Sequence, residues 1–376
     1  MQEWKYSLPR RRKSRQIDVG GVKIGGLAPV SVQSMTSTDT MDVEGTLSQV
    51  RALADAGADI VRVSVPTLEA CDPFSRICKA STVPIVADIH FDYRIAVKCA
   101  SEGAAALRIN PGNIGSRERI EAVCRAAEDH GLPIRVGVNA GSLDKDLLKK
   151  YGAPCPQAMA EAALRAADVL ESHGFRNYAF SAKASEIMLC VGAYELLASK
   201  TDAPLHLGIT EAGGLMSGTV LSAMGISWLL REGIGDTIRV SLAADPVEEV
   251  RAGWAILKGM HLRSRGVEIV ACPTCSRHAI DVVGVVKALE SRLSDVRQEL
   301  KIAVMGCVVN GPGEALRADI AVCGGGGGRC LVYEDGVLQG RVEAAQAADA
   351  LESRVRARIA RGGATGGNTI KSEKEV

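Results

Sequence analysis

Between Val30 and Ala243 the chain alternates short apolar runs with longer stretches of helical periodicity. The runs are Val30–Ser34, Asp59–Ser64, Ile85–His90, Ala106–Asn110, Ile134–Asn139, Tyr178–Lys183, Leu205–Thr210 and Ile238–Leu242. The intervening stretches, such as Glu44–Ala56, Arg117–His130 and Ala158–His173, repeat apolar positions every three or four residues. Strand then helix, eight times over, predicts an α/β fold, a parallel (β/α)8 TIM barrel. An open doubly wound sheet is the competing arrangement, but eight consecutive units favour closure, and a span of roughly 250 residues suits the barrel. After the helical stretch Pro246–Leu257 the pattern breaks at His261-Leu262-Arg263-Ser264-Arg265-Gly266, which reads as a hinge. Beyond it the sequence predicts strands at Val267–Ala271, Ile302–Met305, Asp319–Val322 and Leu331–Tyr333, and helices at Ile280–Leu293 and Glu343–Ile359. That is a small α+β layer of about 100 residues. The expected division is therefore a barrel domain over residues 1–260, a second domain over 266–361, and a Gly-rich, then charged, disordered tail over 362–376.

Charge interrupts the apolar runs in a consistent way. Arg62, Arg108, Arg135, Lys183 and Arg239 all fall inside predicted barrel strands. Near the strand ends lie Asp88, His90, Asn110, Asn139, Glu211 and Ser241, where barrel active sites are built. A buried cation without a partner is expensive. Asp88, Glu211 or Asp59 can account for some of the five, and a lone Arg in a strand is often just a structural ion pair. His90 alone reads as a core histidine, and the asparagines as loop anchors. Five cations against so few acids imply instead a polyanionic ligand, and the guanidinium fork suits phosphate. The loop Asn110-Pro111-Gly112-Asn113-Ile114-Gly115 offers further N–H groups for an anion.

Whole-chain composition narrows the field. Lys and Arg total 45 against 44 Asp and Glu, for a net charge of +1, and aromatics are 3%. Both argue against a nucleic-acid partner or an acidic membrane surface. No run reaches the roughly 18 apolar residues of a membrane helix. Arg10–Arg15 has no apolar stretch after it, so it is no signal peptide, and it reads as a solvated basic arm. Eleven scattered cysteines fit a reducing, cytoplasmic setting better than a disulfide framework.

Three of those cysteines stand apart. Cys272-Pro273-Thr274-Cys275 is a CxxC turn, and Cys307 follows the apolar run Ile302–Met305 in Gly306-Cys307-Val308-Val309-Asn310-Gly311-Pro312-Gly313-Glu314. Structural zinc wants four closed ligands, whereas an iron–sulfur cluster on three thiolates keeps one iron weakly held. Glu314 is the favoured fourth ligand, with His278, Cys323 and Cys330 as competitors. A structural zinc knuckle is the alternative from spacing alone, paired with a barrel lyase or isomerase acting on a phosphorylated substrate, with Lys183 as its Schiff-base lysine.

The two cysteine motifs resemble the signature of the 4-hydroxy-3-methylbut-2-en-1-yl diphosphate synthase family. So do Val32-Gln33-Ser34-Met35-Thr36, Ala87-Asp88-Ile89-His90-Phe91, Leu107-Arg108-Ile109-Asn110-Pro111-Gly112, Val136-Gly137-Val138-Asn139-Ala140-Gly141-Ser142 and Thr210-Glu211-Ala212-Gly213. The resemblance implies one 4Fe–4S cluster on Cys272, Cys275, Cys307 and Glu314. It implies a second domain like the cluster domain of sulfite and nitrite reductases. It assigns the diphosphate of a cyclic diphosphate substrate to Arg62, Arg108, Arg135, Asn139, Lys183 and Ser241, and proton transfer to Glu211. Reduced flavodoxin or ferredoxin is the implied donor, and a head-to-tail homodimer the implied assembly, in the two-domain bacterial form. Cys323-Gly324-Gly325-Gly326-Gly327-Gly328-Arg329-Cys330 departs from the family pattern and reads as a flexible loop.

Overall fold

The computed structural model describes residues 10–362. The expected tail over 362–376 lies outside them but for Gly362. The chain divides into two compact units between Arg263 and Ser264.

The first unit opens with an antiparallel hairpin, β1 (Ile17–Val19) and β2 (Val22–Ile24). Eight parallel strands follow: β3 (Ser31–Met35), β4 (Ile60–Ser64), β5 (Ile85–Asp88), β6 (Ala106–Ile109), β7 (Ile134–Asn139), β8 (Tyr178–Lys183), β9 (His206–Leu207) and β10 (Thr237–Ile238). They pair in the order β8-β7-β6-β5-β4-β3-β10-β9. A parallel bridge from Phe180 to Leu205 joins β8 to the chain entering β9. The sheet is thereby a closed barrel, and the open-sheet alternative falls. Helices cover its outside. Val43–Ala56 shows how locally they are specified: the Asp42 side chain accepts from Gly45 N–H, and Gly57 ends the helix in the left-handed region. Val50 and Leu53 on its inner face are fully buried, each burial stabilising the fold by about 1.5–3 kcal/mol.

The hairpin was not read from the sequence. Its Ile17, Val19 and Ile24 pack with Ile60, Val86, Ala106 and Ala179, near the starts of the barrel strands. It plugs the N-terminal end. Arg10–Arg15 also corrects its reading as a solvated arm. Arg11 and Arg12 both pair with Asp236, at 3.2 and 3.6 Å. The Arg12 guanidinium donates to the carbonyls of Thr201 and Ala203, and Arg15 stacks over Tyr178. A buried carboxylate more than 200 residues downstream holds the arm, which no local pattern announces.

The second unit is a five-stranded sheet in the order β11 (Val267–Ala271), β12 (Leu300–Met305), β13 (Ile320–Gly326), β14 (Arg329–Glu334), β15 (Val337–Glu343). The first three run parallel and the last two return antiparallel. Helices Val282–Arg292 and Ala347–Ala360 bury one face. The glycine run is not a loose loop. Gly324–Gly326 end β13, and Gly326, Gly327 and Gly328 adopt φ of +79°, +60° and +74° to turn directly into β14. Side chains would be strained there.

Candidate functional site

The barrel interior collects the strand charges. Asp88, 3% exposed at the end of β5, is flanked by Arg62 at 3.7 Å and Arg108 at 3.3 Å. The His90 ring lies 3.6 Å from the same carboxylate but faces solvent. Cross-strand register sets Asp88 beside Arg108, and Arg108 beside Arg135. Arg135 Nη1 donates to Gln33 Oε1 at 2.9 Å, and Arg62 lies on the Met35 sulfur. Gly137 makes room for this cluster, since a Cβ there would collide with the Arg108 guanidinium.

The fifth cation has a partner the sequence reading missed. Arg239 pairs with Glu249 at 3.3 Å, and Glu249 also accepts from Ser34 Oγ and Leu242 N–H at 3.0 Å. Glu249 lies in the first turn of helix Pro246–Gly259, where an acid is ordinarily explained by the helix dipole. Only its 4% exposure reveals that it points inward. Of the partners suggested from sequence, Asp88 does pair with strand arginines, whereas Asp59 pairs with Arg263 and Glu211 forms no ion pair among the described residues.

Five cations thus share two buried carboxylates, Asp88 and Glu249. Lys183 Nζ, Arg135 Nη2, Arg108 Nε, Arg239 Nε and Ser241 Oγ are buried without a hydrogen-bond partner among the described residues. Burial, then repulsion from Arg239 and Arg62, pushes the Lys183 ammonium well below its ordinary range. Arg62 is pushed down to about 10 by burial, against the pull of Asp88. Burial acts to raise the Asp88 carboxyl, but Arg62 and Arg108 outweigh it and hold it low. His206 in β9 is a second missed residue. It is 1% exposed, bonds Thr237 Oγ1, and is kept neutral by burial and by Arg135 and Lys183. Asn139 lies beside Lys183 in register, Asn110 follows β6 and Ser241 follows β10, all half-buried. Glu211 is exposed in the loop after β9 with φ of +56°, a strained backbone for a residue with a side chain.

In the second unit, β11 and β12 run side by side, and Ala271 pairs with Val304. Cys272 directly follows β11 and Cys307 follows β12 by two residues, so both sit at one end of the sheet. Gly306 N–H donates to Cys272 Sγ at 3.1 Å. Cys272 and Cys307 are half-buried and Cys275 is exposed. Glu314 is half-buried in the short helix Gly311–Ala315, with no ion pair among the described residues. No three His, Cys, Asp or Glu side chains among the described residues gather as a ready metal-binding group. The donor chemistry nevertheless fits an iron–sulfur group: three accessible thiols, an amide already aimed at a sulfur, and an uncommitted carboxylate. The competing donors fit less well. Cys323 and Cys330 are fully buried in β13 and β14, and burial raises both thiols, Cys330 to about 11. His278 Nδ1 is engaged with the Cys275 carbonyl.

The family model for the GcpE TIM-barrel domain matches residues 14–254, and that for the GcpE protein C-terminal domain matches residues 268–357. A 4-hydroxy-3-methylbut-2-en-1-yl diphosphate synthase (flavodoxin) from Chromohalobacter salexigens is 54% identical over 364 residues, or 97% of this chain and 98% of that protein. Its counterpart from Azotobacter vinelandii is 57% identical over 351 residues, covering 93% and 95%. That from Escherichia coli is 56% identical over 349 residues, covering 93% and 94%. Among solved structures, a dihydropteroate synthase from Xanthomonas albilineans superposes with a TM-score of 0.47 at 13% identity, covering 66% of this chain and 98% of that one.

Proposed function

The chain belongs to the 4-hydroxy-3-methylbut-2-en-1-yl diphosphate synthase family, and from that premise we propose how its own residues carry out the family's reaction. The reaction is the reductive ring opening and dehydroxylation of 2-C-methyl-D-erythritol 2,4-cyclodiphosphate to 4-hydroxy-3-methylbut-2-enyl diphosphate. A ring C–O bond breaks, a hydroxyl leaves as water, and two electrons enter.

The observation that carries the assignment is the excess of buried cations in the barrel. Arg62, Arg108, Arg135, Lys183 and Arg239 neutralise the cyclic diphosphate, which relieves the repulsion that depresses Lys183. Asn110, Asn139 and Ser241 donate hydrogen bonds to its oxygens. Asp88 holds Arg62 and Arg108 in place, with His90 at the rim. Glu211, held at the mouth by its left-handed backbone, delivers the proton to the departing hydroxyl. Cys272, Cys275, Cys307 and Glu314 would hold one 4Fe–4S cluster, in a domain of the sulfite and nitrite reductase type. When bound, that cluster supplies electrons one at a time from reduced flavodoxin or ferredoxin. An oxygen donor such as Glu314 exchanges more readily than a thiolate.

We further propose a homodimer in which the cluster domain of one copy serves the barrel of the other. Its support is the outward face of helix Leu215–Arg231, where Met216, Val220, Met224 and Trp228 recur every four residues at 80%, 49%, 58% and 48% exposure. No charged residue interrupts that stripe. A cytoplasmic location follows from the chemistry of reduced thiols, and no helix is long and apolar enough to cross a membrane among the described residues. Family membership lends no support to a lyase with structural zinc.

Anaerobic iron and sulfide analysis on the wild type and Glu314→Ala tests the reading. About four irons per chain, with a more labile cluster in the variant, is the expected result. One zinc per chain and no iron would sink it.

A further inference from the structure

The sheet of the second unit is covered unequally. Two long helices bury one face. On the other, the short helix Gly311–Ala315 shields only the inner strands, packing Ala315 against Ala303, Met305, Ala321 and Cys323. The helix stops there, while β14 and β15 run on without cover. Cross-strand register puts Leu338 beside Tyr333 and Arg341 beside Leu331 on this same face. Leu316, just past the helix, is 72% exposed and Leu338 51%. Leu316 leans over the β14–β15 turn, since a Cβ at Gly336 would lie 3.1 Å from its Cδ2. An apolar step is therefore left open at the sheet edge.

Its rim is cationic. Arg317 and Arg341 are exposed, and neither forms an ion pair among the described residues. Three nearby acids are committed within the unit, Glu343 to Arg329, Asp319 to Arg358 and Glu334 to Arg354, and Glu314, three residues before Arg317, pairs with neither rim arginine. The step is also continuous with the cysteine loops. Tyr333 packs against the apolar cluster that contains Cys323. Cys323 in turn packs where a Cβ on Gly311 would collide with it, and it pairs in register with Met305, two residues before Cys307.

We propose that this step, centred on Leu316 and Leu338 and rimmed by Arg317 and Arg341, is the docking surface for the acidic flavoprotein that delivers electrons to the cysteine site. The inference rests on the reductase reading above, because it presupposes an external protein donor. Transient electron-transfer interfaces are small, below about 1,200 Å2 in total. They depend on charge complementarity to reach fast encounter. A short apolar step with two unneutralised guanidinia has that character. An acidic partner answers the rim, whereas a second copy of this chain would set Arg317 and Arg341 against a surface of no opposite excess.

The test compares wild-type holoenzyme with Arg317→Glu/Arg341→Glu and, separately, Leu338→Asn, all prepared anaerobically. Calorimetry measures the affinity for oxidised flavodoxin. Turnover is followed with reduced flavodoxin and with a reduced viologen dye. The expected result is about tenfold or greater weakening of flavodoxin affinity in the charge-reversed variant, a matching rise in KM for flavodoxin, and dye-driven turnover unchanged. Leu338→Asn should weaken binding without altering its salt dependence. Unchanged flavodoxin affinity would overturn the proposal. So would equal loss with dye and flavodoxin, or a change in assembly mass, which would mean a second copy covers the step. A wild type inactive with both donors would instead sink the reductase reading, while calorimetry would still judge the surface.

Discussion

Lys183 is the residue whose environment makes least sense without a ligand. Its ammonium is buried among four arginines with no acceptor among the described residues. Lys183→Met should therefore stabilise the ligand-free protein by about 1 kcal/mol or more, because a desolvated, repelled cation is replaced by an apolar chain of similar length. The same variant should lose roughly a hundredfold in affinity for the cyclodiphosphate, the worth of a charged hydrogen bond. Thermal unfolding and substrate titration check the two halves, and a destabilised variant would refute the account. Asp88 carries the opposite sign. Its folded-state pKa is depressed, so its contribution is complete above the ordinary carboxylate range of about 4. That contribution is lost as pH falls through the depressed value. Asp88→Asn leaves Arg62 and Arg108 unpaired and should cost about 3 kcal/mol at pH 7. Denaturant unfolding at falling pH should show the gap between wild type and variant closing as the wild-type carboxyl protonates. A gap constant with pH would mean the ion pairs contribute nothing.

At the scale of elements, the hairpin β1–β2 closes the barrel at the end opposite the strand termini that carry chemistry. Ile24 is 4% exposed within that plug. Ile24→Ala should lower stability by about 2–4 kcal/mol through the cavity it leaves, while kcat at a permissive temperature stays near wild type. A large loss of kcat would mean the plug also shapes the mouth. The arm before it acts as a clasp: Arg12 satisfies the carbonyls of Thr201 and Ala203 and pairs with Asp236.

At the scale of the molecule, the uncharged stripe on helix Leu215–Arg231 bears on assembly. Met224→Asp combined with Val220→Asp should shift the protein from dimer to monomer in sedimentation, since a desolvated carboxylate cannot be matched across an apolar contact. Mixing inactive Cys307→Ala and Arg108→Ala chains should restore up to about a quarter of wild-type activity if each site draws on two copies. No recovery from a mixture that exchanges subunits would place the whole site within one chain.

What the sequence determined by itself was local and periodic. Eight apolar runs separated by helical stretches specified the barrel, because hydrophobic period and crossover length act within a few tens of residues. The strand cations and cysteine spacing were equally plain, being single residue types out of place in their surroundings. What only the tertiary structure decided was pairing at long range. Asp236 holds the N-terminal arm, and Glu249, not Asp59 or Glu211, answers Arg239. His206 is seen to be buried, and the glycine run to be a hairpin turn. Each depends on which side chains the closed sheet brings face to face. That proximity is created by folding, and the order of residues along the chain carries no local trace of it.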